Sequence, residues 1–218
     1  MAAFPGFPPQ ALDFYEDLEG DNTKSFWTTH RATYEEHVRG PVVALCELLG
    51  PEFGEAKVFR PYNDVRFRAD KTPYKTHQGA AVHDGDGAGV LYFHVSAAGL
   101  FVAAGYHGMA PDQLARYRAA VDDARTGPAL ERVLEQVVAA GHRIGGEVLR
   151  TRPRGCPPDH PRLAFMRHRS LTAEHDFGAP SWLHQPAAAE VVARTWREMA
   201  PLNAWLREHV GPSTLPRR

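Results

Sequence analysis

Apolar residues recur along the first fifty positions at the spacing of helix faces. Leu12, Phe14, Tyr15 and Leu18, behind Pro8 and Pro9, predict a first helix over 11–18. Gly20-Asp21-Asn22 ends it and offers a cap to the next. Over 24–38, Trp27, Arg31, Tyr34 and Val38 stand at offsets of four, three and four, flanked by Phe26, His30 and His37. One face of this second helix therefore carries an indole, a guanidinium and a phenol. Gly40-Pro41 is expected to break it, and 42–49 predicts a short third helix closed by Gly50-Pro51.

The period then shifts from helical to alternating. Residues 57–60 and 79–83 are β-like, and 84–89 is a glycine-rich turn. Over 90–97, Leu91, Phe93, Val95 and Ala97 point one way and Tyr92, His94 and Ser96 the other. Ala98-Gly99 is a tight turn, and 100–107 is the partner strand of an antiparallel hairpin. Helices are predicted over 111–123 and 127–138, a short strand within 141–149, and a proline-rich extended run over 152–161. A short helix at 162–168, a last strand at 169–177 and a long helix at 187–210, interrupted near Pro201, complete the chain. Helices, then antiparallel strands, then helices predict an α+β fold, an antiparallel sheet with N-terminal and C-terminal helices packed on it. The 218 residues, 43% hydrophobic, suffice for one domain spanning 1–218, with 187–210 as its C-terminal helix.

Charge changes this picture only locally. With 25 Lys+Arg against 26 Asp+Glu the net charge is -1, which argues against a dedicated duplex-DNA binder but not against a basic groove. Two cysteines are too few for a disulfide framework or a four-thiolate zinc site. Met1 to Gln10 shows no secretory pattern, and no run approaches the ~20 apolar residues that span a bilayer. The protein is expected to be soluble and cytoplasmic, with no membrane partner.

Residues 59–78 depart from this neutral background. Arg60, Arg66, Arg68, Lys71 and Lys75 fall within sixteen residues, with Asp64 and Asp70 and the aromatics Phe59, Tyr62, Phe67 and Tyr74. Forked cations with interleaved aromatics suit an anion, and Pro61 and Pro73 supply the bends that let Arg60, Arg66 and Lys71 converge. A held phosphate gains roughly 1.5–3 kcal/mol per charged hydrogen bond where water is excluded. The plainer expectation is that Asp64 and Asp70 neutralise these cations in an internal ion-pair network. A carboxylate also orients the cation that meets a ligand, so the two are compatible.

Other chemistry is sparse. Gly85-Asp-Gly-Ala-Gly89 lacks the spacing and lysine of a phosphate loop, and there is no nucleophile elbow. His77 and His83 share parity, with His94 and His107 on neighbouring strands, yet no ligand spacing fits zinc and no metal or other cofactor is expected. Tyr92 and His94 line a groove if their side of the strand is covered, and are surface residues if it is open. Asp159 and His160 are adjacent and point apart, so Asp159 reads as a helix cap.

The segment Phe59-Arg-Pro-Tyr62-x-Asp64-Val-Arg66-Phe-x-x-Asp70-Lys71-Thr-Pro-Tyr74-Lys75-Thr76 resembles the signature of the bacterial and fungal family catalogued as domain of unknown function 2461. Three further stretches agree in order. They are Phe14–Leu18 with Asn22-x-Lys24-x-x-Trp27-x-x-His30-Arg31-x-x-Tyr34; Tyr92-Phe-His94 with Gly105-Tyr106 and the following 114–118; and Gly146 through Pro153-Arg154-Gly155 to Asp159-His160-Pro161. The resemblance covers roughly 7–210. Asn63 stands where the family pattern leads one to expect arginine, and Arg150 where it usually shows lysine. The resemblance implies a compact cytoplasmic α+β protein and supplies no reaction or cofactor.

From the residues, the first expectation is a pocket for an anionic small molecule, with its enzymatic use left open. Trp27, Arg31 and Tyr34 form its walls and Tyr92 and His94 its floor. Arg60, Arg66, Lys71 and Lys75 hold a phosphate or carboxylate, with Asp64, Asp70 and Tyr74 in the same loop. His94 or His30 is the acid/base candidate, since an imidazole titrates near neutral pH. The alternatives are a single-stranded nucleic-acid or protein-interaction module in which the charged loop is a structural ion-pair network. The oligomeric state stays open.

Overall fold

The computed structural model describes residues 4–64, 66, 71–83 and 89–216. Asp70, together with Phe67 and Arg68 of the basic segment and most of the turn expected over 84–89, lies outside the described residues. The first three helices are α1 (Pro9–Gly20), α2 (Lys24–Thr33) and α3 (Gly40–Phe53). Pro9 opens α1 where a missing N–H costs nothing. Thr23 caps α2, its hydroxyl accepting from the Phe26 N–H at 3.2 Å.

Gly40-Pro41 does not break the second helix. Residues Tyr34–Arg39 form a π-turn, and the Gly40 N–H reaches the Glu35 carbonyl five residues back, so α2 runs on into α3. Pro41 sits at the start of α3, where the widened register has already displaced the bond its nitrogen lacks. The expected stop at Gly50-Pro51 is also absent, and α3 ends at Phe53.

Six strands follow: β1 (Ala56–Val58), β2 (His77–His83), β3 (Val90–Ser96), β4 (Gly99–Tyr106), β5 (Arg143–Gly145) and β6 (Leu171–Gly178). They form one antiparallel sheet in the order β1-β2-β3-β4-β6-β5. The α+β class expected from the sequence is the one observed. β1 registers on β2 through Ala56↔Val82, Lys57↔Ala81 and Val58↔Ala80. The remaining helices are α4 (Pro111–Asp122), α5 (Thr126–Ala139), α6 (Leu163–Met166) and α7 (Ala187–His209). Pro201 was expected to interrupt the last helix, yet α7 carries it internally. Met199, Leu202, Trp205 and Leu206 around it are buried. At about 1.5–3 kcal/mol per buried side chain they outweigh the roughly 3 kcal/mol that an interior proline costs. No described helix is long and apolar enough to cross a membrane.

The chain divides into two compact units, the first made of residues 1–82, 92–102 and 176–194, the second of 83–91, 103–175 and 195–218. The first is built on an aromatic core. Phe14 meets Tyr15, Trp27 and Tyr34 at ring separations of 5.3, 5.9 and 5.7 Å. Leu18, Val38, Val42 and Leu45 are buried in the same unit. The second packs α4 and α5 over its part of the sheet through Tyr117, Val121, Leu130, Leu134 and Val137, with Leu171 and Ala173 of β6.

Candidate functional site

The basic segment folds as a loop with a tied neck. Tyr62 and Tyr74 form an isolated antiparallel bridge, reinforced by Asn63 N–H to Pro73 O at 2.9 Å and Lys75 N–H to Pro61 O at 2.8 Å. Two asparagines clamp it. Asn63 Nδ2 donates to the carbonyls of Thr72 and Tyr74 at 3.0 Å each. Asn22 Nδ2 donates to Tyr74 O, and Asn22 Oδ1 accepts from Tyr74 N–H, both at 3.1 Å. Asn63, which replaces the expected arginine, thus secures the neck instead of adding a cation. Tyr74 is buried and stacks flat on Trp27, with centroids 4.3 Å apart at 6°.

Beside this neck lies a cavity of about 310 Å³ whose described lining is Trp27, Arg31, Tyr34, Glu35, Arg39, Val58, Phe59, Arg60, Pro61 and Tyr62. Trp27, Arg31, Tyr34 and Arg60 are therefore brought together as the sequence led one to expect. Arg39 and Glu35 were not foreseen. In a regular helix, eight residues at about 100° each put Arg39 about 80° around from Arg31. The π-turn absorbs one residue, which brings Arg39 to within about 20° of the Arg31 face. The composition of residues 34–41 carries a faint signal for this, a Gly-Pro pair with no helix break around it. Arg39 pairs loosely with Glu35 at 3.7 Å, both half exposed.

Two details of the walls bear on binding. Trp27 is 5% exposed, and its Nε1–H is buried with no hydrogen-bond partner among the described residues. A buried unmet donor costs about 1–3 kcal/mol. Behind the wall, Gln78 is 1% exposed. It accepts from the Tyr34 hydroxyl at 2.6 Å and donates through Nε2 to the carbonyls of Phe59 and Gly79 at 2.8 and 3.0 Å. One buried amide thus ties the π-turn to the strand that leads into the neck. Burial holds the Tyr34 phenol well above its ordinary pKa, so it stays a donor.

The other predicted residues are not in the described lining. Arg66 forks onto Asp64, Nε to Oδ1 at 2.9 Å and Nη2 to Oδ2 at 2.7 Å, in the exposed part of the loop. That fork holds the Asp64 carboxyl well below the usual carboxylate range. Lys71 is exposed. Lys75 donates to the Arg60 carbonyl at 3.1 Å and lies 5.4 Å above the Phe59 ring. Burial, with Arg60 nearby, lowers its pKa. His30 stacks on Phe26 at 4.1 Å and bonds the Phe26 carbonyl through Nδ1 at 2.9 Å.

Tyr92 and His94 lie on the half-buried side of β3, 3.0 Å apart from Oη to Nδ1. Gly79 makes room for them, since a Cβ there would stand 2.7 Å from the Tyr92 hydroxyl. His94 stacks on Phe101 at 4.9 Å and meets His77 at 4.7 Å. Burial and His77 push its pKa down to about 4 against the pull of Asp176, and burial pushes Tyr92 up to about 12. Both are neutral near pH 7. Of the four histidines weighed together, His77 and His94 meet, while His83 and His107 are exposed. Among the described residues no three His, Cys, Asp or Glu side chains gather as a metal site would require. Cys46 and Cys156 are free thiols.

A family model described as conserved hypothetical protein, DUF2461, matches residues 10–205. The chain belongs to this family. No curated protein matches the chain, and no solved structure does. In this DUF2461 member, two of the stretches that carry the resemblance, the one running from Asn22 through α2 to Tyr34 and the neck loop, line the arginine cavity together with Arg39. The stretch in β3 and β4 places the Tyr92–His94 pair.

Proposed function

We propose that this DUF2461 protein binds the anionic group of a small organic molecule, a phosphate or a carboxylate, in the cavity bounded by Arg31, Arg39 and Arg60. The observation that carries the reading is that Arg31, Arg39 and Arg60, from the helix and from the loop, line one cavity. Guanidiniums stay charged at any physiological pH and present forked donors to oxyanions. A volume of about 310 Å³ lies at the small end of ligand pockets. A cytoplasmic setting, expected from the two thiols, suits such metabolites. His30 and His94 are not in the described lining, so the reading is one of binding and assigns no reaction.

Calorimetric titration with inorganic phosphate and with benzoate tests it. Saturable one-to-one binding of at least one anion is expected, weakened about ten-fold or more in Arg60→Gln. No saturable binding of either up to about 10 mM sinks the proposal. One observation favours a second reading, single-stranded nucleic-acid binding: Tyr62 is 46% exposed beside Arg60, as a stacking platform would be. Retention of a short oligonucleotide that falls steeply with salt would support it, and salt-insensitive or absent binding would remove it.

A further inference from the structure

We infer that the ligand is a phosphomonoester whose organic part presents a flat ring, an assignment that rests on the anion-binding reading above. Charge decides the head group. The described lining carries three arginines and one glutamate, two positive charges in excess. Lys75, fixed by its bond to the Arg60 carbonyl, adds positive field behind the wall. A monocarboxylate leaves one of the two charges uncompensated. A phosphomonoester, with a second pKa near 6, carries close to two negative charges at pH 7 and matches them.

Donor geometry points the same way. Arg31 and Arg39 stand two turns apart on one helix face, brought into line by the π-turn, and Arg60 comes from the loop side. These are three forked donor groups, two from the helix and one from the loop. Three terminal phosphate oxygens accept from such a spread, whereas the two oxygens of a carboxylate lie in one plane. Glu35, 3.7 Å from Arg39, is only loosely paired, so the Arg39 fork has donors left for an incoming oxyanion.

The aromatic lining decides the organic part. Trp27 turns one face to Tyr74. Tyr62, nearly half exposed, is the ring at the cavity with surface left to cover. A flat ring attached to the phosphate stacks there, and stacking tolerates many ring identities.

Calorimetry at low salt and pH 7.5 with phenyl phosphate, inorganic phosphate and benzoate tests the assignment. Phenyl phosphate is expected to bind at least about ten-fold tighter than benzoate and tighter than inorganic phosphate. Tyr62→Ala is expected to lower phenyl phosphate affinity by about five-fold or more and to leave inorganic phosphate unchanged. Arg39→Gln, at a half-exposed position, is expected to shrink the preference over benzoate, with circular dichroism confirming the fold. Benzoate binding as tightly as phenyl phosphate overturns the phosphomonoester assignment while leaving anion binding intact. Equal affinity for phenyl and inorganic phosphate overturns the ring. Failure of all three anions to bind overturns this assignment together with the reading beneath it.

Discussion

Replacing Tyr34 with Phe tests how the cavity wall is held. Tyr34 is 1% exposed, and its hydroxyl donates at 2.6 Å to Gln78 Oε1, on a residue equally buried. A phenylalanine keeps the ring contacts with Trp27 at 4.8 Å and Phe14 at 5.7 Å, so the change isolates one hydrogen bond. Among the described residues Gln78 Oε1 accepts from no other donor, while its Nε2 stays engaged by the Phe59 and Gly79 carbonyls and keeps the amide from rotating away. A buried acceptor stripped of its donor costs about 1–3 kcal/mol. For a chain of this length that is a fall in melting temperature of about 2–12 °C. Urea unfolding followed by tryptophan fluorescence reads the free energy directly. A double-mutant cycle with Gln78→Leu should return a coupling of about 0.5–3 kcal/mol. A loss below about 0.5 kcal/mol in Tyr34→Phe, or no coupling in the cycle, refutes the idea that this bond braces the wall.

Two further outcomes follow from the same geometry. His94 titrates near 6.5 when unfolded and at about 4 when folded, so the unfolded chain binds the extra proton between those values and stability falls as pH drops through that window. The loss is about 3 kcal/mol by pH 4, with His77 shifted in the same direction. Urea midpoints from pH 7 to 4.5 should decline less steeply in His94→Phe than in the wild type, and parallel declines would contradict the assignment. Arg66→Ala removes an exposed fork onto Asp64, so the melting temperature should stay within about 1 °C. A cooperative loss of fold in that variant would show that the loop's ion pairs support the unit after all.

Alternation along β3 and the Leu12–Leu18 and Trp27–Tyr34 spacings were legible because each reports a local period, and the α+β class followed from their order. The proximity of Trp27, Arg31 and Tyr34 was legible for the same reason, since a helix face is a property of neighbours in sequence. Arg39 was hidden because one inserted residue in the backbone register moved it, and the peptide pattern leaves almost no mark of a π-turn. The fate of the charged loop was hidden for a different reason. Whether Arg60 faces a cavity and Arg66 faces Asp64 depends on the Tyr62–Tyr74 neck, and that neck is closed by Asn22, fifty-two positions from Tyr74.

The chain by itself therefore determined its fold class, its family and the concentration of cations beside aromatics, all carried by spacing and composition. Only the tertiary structure decided which cations meet. Two bridges over long sequence separations, Asn22 to Tyr74 and Tyr34 to Gln78, set the walls. Bonds of that kind form after distant segments pack, when burial makes an unmet donor or acceptor costly enough to select one arrangement.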